Sequence, residues 1–351
     1  MKICLYGSFF TSPVVKSLEQ DGHSVIYNEF SKDLDVIISQ SINYMYPLQR
    51  LMKSIKKHKI KLITITPDIP LWRIFKSYSD NSYMGYSRQE LYHITHKNQK
   101  LYDIVNNIND FSFKTPIFHY VSQFNNKIFN TKISNKIYYI NNYRAFLKKS
   151  DLNLSFSKFS KKLIKKYLKI HSKVWYPCAN TELINSLPIN LEQKYDAINI
   201  SRIVPHKHQK IFVKAAKKLN LKIAIIGPYQ DKSIELDCPH FALPHKQTLE
   251  ALIQSKIYVD PSSFEGFGMT PVEAAFLNKI TVASDISVHR EVLNDYPLYF
   301  RTGDVKDLIE KISMVQEGQF SLNKSAVLNI KKKYSINVSK QKLVEYIESI
   351  M

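Results

Sequence analysis

Short apolar runs rich in β-branched residues alternate with stretches of helical spacing along this chain, and they do so in two separate series. KICLY (2–6), SVIYN (24–28), DVIIS (35–39) and KLITIT (61–66) open the first, with helical stretches near 13–20 and 44–58 between them. TPIFHYV (115–121), NLSFS (153–157) and KVWYP (173–177) continue it, and 71–110 read as mostly helical. The second series runs DAINIS (196–201), a helix 207–219, KIAIIG (222–227), a helix 246–255, IYVDPS (257–262), a helix 271–277 and KITVAS (279–284). Helices then close the chain. Strands alternating with helices build parallel sheets covered on both faces. Two such series predict two doubly wound α/β domains facing a cleft, with ligands at the carboxyl ends of the strands. The polar segment 178–196 carries Pro188, lacks periodicity and reads as the linker, so the domains are expected at 1–180 and 181–351.

Charge divides along the same line. Residues 1–180 hold 28 Lys+Arg against 11 Asp+Glu, whereas 181–351 hold 22 against 19. A basic first half implies an anionic partner: a membrane surface, a polyanionic glycan or nucleic acid. SKFSKKLIKKYLK (157–169) sets Phe159, Leu163, Ile164, Tyr167 and Leu168 on one helical side and six lysines on the other. Such a helix packs on its own sheet or lies on anionic lipid. Base-edge-reading motifs are absent, which argues against sequence-specific nucleic-acid binding. Cys4, Cys178 and Cys238 are odd in number and widely spaced, so neither a disulfide nor a metal pattern emerges. Reduced thiols in the cytoplasm are expected, with a peripheral place on the inner membrane face left open. No run of about 20 apolar residues predicts a spanning helix, and the apolar run of MKICLYGSFFTSP is too short for a signal peptide.

Glycine is scarce, eight in 351 residues, yet two stand close together in PSSFEGFGMTPVEAAFL (261–277). The strand ends before Pro261, Thr270 suits an N-cap and Pro271 a first helical position. Gly266 and Gly268 let backbone amides approach a ligand closely, and a helix N-terminus favours negative charge there. Glu265 and Glu273 flank this cradle. Phosphate alone would be repelled by them, but a ligand joining phosphate to hydroxyl-rich sugar rings would use both acids and amides. For Glu273 a second reading is a capping box with Thr270. That reading leaves Glu265 and the glycines unexplained.

EGFGMTPVEA, with glutamates eight positions apart, resembles the signature of retaining GT-B glycosyltransferases of family 4, also called group 1. NISRIVPHKHQKIFVKAAKKL resembles that family's strand–loop–helix carrying an arginine and a lysine, here Arg202 and Lys207. KIAIIGP, FALPHKQTLEALIQSKIYVDPSSFEGFG and ITVASDISVHREVL follow the family order over about 110 residues, and LNLSFSKFSKKLIKKY resembles its first-domain strand–Ser–helix element. The resemblance implies a nucleotide-diphosphate sugar as co-substrate, a hexose transferred with retention, and neither metal nor other cofactor. It implies a first domain that binds the acceptor and a second that binds the donor, with the C-terminal helix crossing back. By carry-over, Arg202 and Lys207 neutralise the leaving diphosphate, and Glu265 contacts the donor sugar. The amides of Gly266, Phe267, Gly268, Met269 and Thr270 hold sugar and phosphate, and Glu273 grips the ribose. Cations placed there oppose the charge that builds on the leaving group, worth about 3 kcal/mol per group by analogy with oxyanion donors.

The chain departs from the family at His208, where a glycine usually follows the lysine; Lys210 is then the alternative to Lys207. In the first half, Gly7 resembles the glycine loop near donor and acceptor. His119 is the expected acceptor-side catalytic residue, with Asp68 the alternative. Glu291 belongs either to the cleft or to a helix start. The acceptor class implied is a glycan, lipid-linked or other polyanionic molecule. Two competing functions remain, a GT-B-like polyanion- or membrane-binding module with a decayed site and a nucleotide-sugar epimerase.

Overall fold

A computed structural model of the chain describes residues 1–6, 13–66, 143–188, 190–229 and 234–351, without the side chains of 40–47. The strand expected at 115–121 and the helical stretch at 71–110 lie outside the described residues, as do Gly7, Asp68 and His119.

The first β-rich series forms β1 (Lys2–Tyr6), β2 (Ser24–Tyr27), β3 (Val36–Gln40), β4 (Lys61–Thr66), β5 (Leu152–Ser155) and β6 (Lys173–Val174). They lie parallel in the order β2-β1-β3-β4-β5-β6. The second forms β7 (Tyr195–Ile200), β8 (Ile223–Ile226), β9 (His240–Phe241), β10 (Ser255–Asp260), β11 (Ile280–Ser284) and β12 (Leu298–Phe300). Their order is β12-β11-β10-β7-β8-β9, again parallel. Between β7 and β10 the strand order reverses, the place where doubly wound sheets bind ligands in a crevice beyond the carboxyl ends of their strands. Ile37, Ile38, Ile63, Ile198 and Ile225 are fully buried, as strands covered on both faces require.

The helices are α1 (Pro13–Gln20), α2 (Ser41–Lys57), α3 (Lys158–Leu163), α4 (Thr181–Asn185), α5 (Gln209–Lys218) and α6 (His245–Ile253). They continue with α7 (Met269–Phe276), α8 (Ser287–Leu293), α9 (Val305–Gln316), α10 (Lys324–Lys333) and α11 (Ile336–Glu348). Asp304, Asn323 and Ser335 cap α9, α10 and α11 by accepting from amides of the first turn.

Three local outcomes differ from expectation. The linker is not featureless: Asn180 caps α4 by accepting from Leu183 N at 3.0 Å, and Cys178, Ala179, Ile184 and Leu187 are buried. The amphipathic helix at 157–169 becomes α3 followed by a π-helical turn over Ile164–Leu168, ending at Lys169 with φ +52. Its six lysines are exposed as the spacing required. Strands β9 and β12, of two and three residues, are too short to show a period in sequence.

α11 crosses back to the first domain. Lys340 pairs with Asp21 at 2.7 Å, just after α1, and Tyr346 OH donates to Val174 O at 2.9 Å. Trp175 Nε1 donates to Ser339 O at 2.9 Å. One apolar cluster is continuous from Ile3 and Leu5 through Trp175 and Phe267 to Tyr334 and Leu343, so both sheets share it.

Candidate functional site

The loops after β7 and β10 meet where the strand order reverses. Asn199 Nδ2 donates to Val259 O at 2.9 Å and ties the two strands together. Gln209 Nε2 donates to Ser201 Oγ at 2.9 Å and to Arg202 O at 2.8 Å, which braces the turn that carries Arg202. Ser263 donates through N (2.8 Å) and Oγ (3.2 Å) to His206 O, joining one loop to the other. Gly227 allows the close approach behind Arg202, because a Cβ there would overlap the Ser201 carbonyl oxygen.

Lys207 Nζ makes an ion pair with Glu265 Oε1 between these loops, with side chains 11% and 15% exposed. Lys210 is exposed, so Lys207 is the lysine that faces the site. The expected helix start at 207 is instead a 3-10 turn, Pro205–Lys207, and α5 begins at Gln209. His208 lies between them at φ +50, ψ +32. That is the left-handed conformation glycine adopts freely, which explains why a glycine would fit there.

Beneath the pair lies a buried polar network that the sequence reading did not single out. Asp260, 2% exposed, accepts from Ser262 N at 3.1 Å and from Ser262 Oγ, and Ser262 Oγ lies 3.2 Å from Glu265 Oε1. His289, fully buried, sets Nε2 3.7 Å from Asp260 Oδ2, and its Nδ1 lies 2.8 Å from Ser284 O. Burial works to raise the Asp260 carboxyl, but His289, Lys207 and the Ser262 hydrogen bonds outweigh it and hold it below the usual carboxylate value. Burial, then the charges of Lys207 and Arg202, push His206 well below the usual imidazole value, so it stays neutral. Burial and the charges of Asp260 and Glu265 raise Tyr258, with Glu273 adding to them. Arg202 and Lys207 thus share His206 as a neighbour, and Glu265 and Glu273 share Tyr258.

Thr270 is not the N-cap. Gly268 holds that position at φ +86, no side chain caps α7, and Thr270 lies inside the helix. Hence no capping box forms. Glu273, buried at 7%, instead accepts from His245 Nε2 at 2.8 Å. The first amides of α7 have no partner within the helix. Gly266, Gly268, Met269 and Thr270 line this loop and helix start, and the Phe267 ring is 3% exposed, packed on Tyr176 and Tyr334. The Phe267 ring is thereby committed to packing. Glu291, the residue left between cleft and helix start, accepts from Lys158 N and Phe159 N, so it holds a helix start in the other domain.

Two outcomes follow for variants. His208→Gly keeps or slightly raises stability, while His208→Val, which resists positive φ, costs about 1–2 kcal/mol relative to it, read by urea unfolding. The hydrogen bond to Glu273 raises the His245 pKa above 6.5. Its stabilising contribution is therefore fully present below about pH 6.5 and is lost as pH rises through the raised value. The Tm gap between the chain and His245→Ala should shrink over that rise; a gap independent of pH contradicts it.

Residues 180–333 match the family model described as glycosyl transferases group 1. Over 142 residues the chain is 30% identical to the N,N'-diacetylbacillosaminyl-diphospho-undecaprenol alpha-1,3-N-acetylgalactosaminyltransferase of Campylobacter jejuni. That match spans 37% of this chain and 38% of the relative's length. Among solved structures, Anabaena HepE in complex with UDP aligns with a TM-score of 0.58 at 14% identity, covering 99% of both chains. Sucrose-phosphate synthase from Thermosynechococcus elongatus aligns at 0.61 and 10% identity, covering 99% of this chain and 98% of that one. At such identities the likeness shows the fold, which is GT-B. The matched segment runs from α4 to α10 and carries Arg202, the Lys207–Glu265 pair and Glu273; over it the chain is similar to the group 1 glycosyl transferases, on a GT-B fold.

Proposed function

We propose that the chain transfers a hexose, with retention, from a nucleotide-diphosphate sugar to a glycan, lipid-linked or other polyanionic acceptor, without a metal. The observation that carries the reading is the Lys207–Glu265 pair at the strand-order reversal, with Gly268 and the start of α7 following Glu265 in the chain. Cleavage of the sugar–phosphate bond builds negative charge on the leaving diphosphate and positive charge at the sugar carbon. Lys207, Arg202 and the first amides of α7 oppose the former, replacing what a metal would supply. Glu265 accepts from sugar hydroxyls and fixes the ammonium of Lys207 at the same time. Glu273 takes the ribose hydroxyls when His245 yields its place. Retention is carried by the likeness of EGFGMTPVEA to the family signature.

The Anabaena relative was solved with UDP, and the Campylobacter relative is described as acting on a diphospho-undecaprenol-linked sugar. Both favour a nucleotide-sugar donor and a lipid-linked acceptor here. The mutual pairing of Lys207 with Glu265 and of His245 with Glu273 argues against a decayed binding module. The six exposed lysines of 158–169 suit a peripheral place on an anionic membrane, each lysine near the surface contributing about 1 kcal/mol.

The test is a thermal-shift and turnover panel of UDP-, GDP- and ADP-sugars. One donor should raise Tm and be slowly hydrolysed, with Glu265→Ala lowering kcat on the order of 10²–10³-fold. A panel without binding or turnover overturns the reading. Sedimentation with anionic vesicles should retain the chain at low salt and release it at high salt; equal binding to neutral vesicles refutes the electrostatic contact.

A further inference from the structure

The first turn of α3 belongs to the first domain, yet its polar groups are spent on the second. Glu291 Oε1 accepts from Lys158 N at 2.6 Å and Oε2 from Phe159 N at 3.0 Å, while Tyr176 OH donates to Oε1 at 2.9 Å. A carboxylate at a helix N-terminus satisfies amides that have no partner in the helix and complements the helix dipole. Ser157 accepts from Ser160 N at 3.0 Å and closes the turn from its own side. Ser160, 1% exposed, then donates through Oγ to Gly266 O at 3.2 Å. The rings of Phe159 and Phe264 pack at 5.8 Å on the same seam.

Gly266 follows Glu265, so this last bond acts on the donor loop itself. The peptide unit is planar and trans, so its carbonyl and N–H point in opposite directions. Drawing the Gly266 carbonyl onto Ser160 therefore turns the Phe267 N–H away from α3. With Phe267 anchored by its ring, the backbone between Glu265 and Gly268 is held at both ends.

We propose that Ser160 is a positioning residue for the donor loop, and that Glu291 is the anchor that makes the first turn of α3 available to it. The proposal rests on the glycosyl-transfer reading for its catalytic consequence but not for its structural part. Rotation of one domain against the other would move Ser160 from Gly266, so the loop is correctly formed only in the docked arrangement. Glu265 and the following amides thereby sense how the two domains sit.

Amide hydrogen exchange of the folded chain, followed by mass spectrometry, tests the structural part whether or not a donor turns over. Ser160→Ala and, independently, Glu291→Gln should speed exchange across 261–270 about fivefold, the fold-change of one hydrogen bond, and Ser160→Thr should restore protection. Unchanged exchange in both Ser160→Ala and Glu291→Gln overturns the proposal. With the donor that the panel identifies, Ser160→Ala should lower kcat about tenfold at a donor KM within twofold. A lowered Tm with unchanged kcat is what a merely structural role gives, and it overturns the positioning role. Faster exchange in a chain whose native form turns over no nucleotide sugar upholds the clamp and sinks the glycosyl-transfer reading alone.

Discussion

The ion pair of Lys207 with Glu265 is the interaction on which the site's shape depends. It joins the loop after β7 to the loop after β10, the two strands between which the sheet order reverses. A pair this far from water contributes little net stability, because desolvation offsets most of the Coulomb gain. Its effect is geometric. Two loops of opposite charge, one cationic and one acidic, are fixed against each other, and with them the backbone that carries Arg202 and the start of α7. Losing one member leaves the other as an uncompensated charge, so the pair is kept or lost as a unit.

The same logic extends to three further carboxylates among the described residues. Glu265 has Lys207, Glu273 has His245, Asp260 has His289 and the Ser262 hydrogen bonds, and Glu291 has two amides and a phenol. Burying several acids near one another costs heavily unless each is matched. Here the matches are mostly titratable or mobile groups rather than fixed backbone. That difference matters for a site meant to receive a ligand. A lysine can turn from its acid to an incoming phosphate, and an acid can turn from its imidazole to an incoming hydroxyl, whereas an acid committed to helix amides, as Glu291 is, holds structure instead.

Local periodicity made most of the fold legible: β1, β4, β7, β10 and β11 fall close to where apolar runs stand, and α1 and α6 where helical spacing does. The loop before α7 stood out because two glycines and two glutamates in ten residues are improbable in a chain this poor in glycine. The capping box was not realised, since Thr270 x-x Glu273 is a short-range pattern and two longer-range facts competed with it. Gly268 could take φ +86 and start the helix earlier, and His245 reached Glu273 from another helix. Asp260 with His289, and Ser160 with Gly266, join residues far apart in the chain, so no spacing rule could have found them. What sequence conveys is period and chemistry; which distant groups meet is decided by packing.

How the domains are joined bears on what the clamp at Gly266 can report. An apolar seam runs between them, from Trp175 through Phe267 to Tyr334, and α11 returns to pack beside α1. Dispersion contacts vary gently with small displacements, so a rotation of a few degrees changes that energy little. Hydrogen bonds weaken steeply once distance and angle leave a narrow range. A small rotation would thus spare the apolar seam and be felt first at Ser160 and Glu291, whose directional bonds end beside Glu265. The arrangement puts the sensitive contacts at the loop and the tolerant ones behind it, which is the order a chain needs if domain position is to set the geometry of the site.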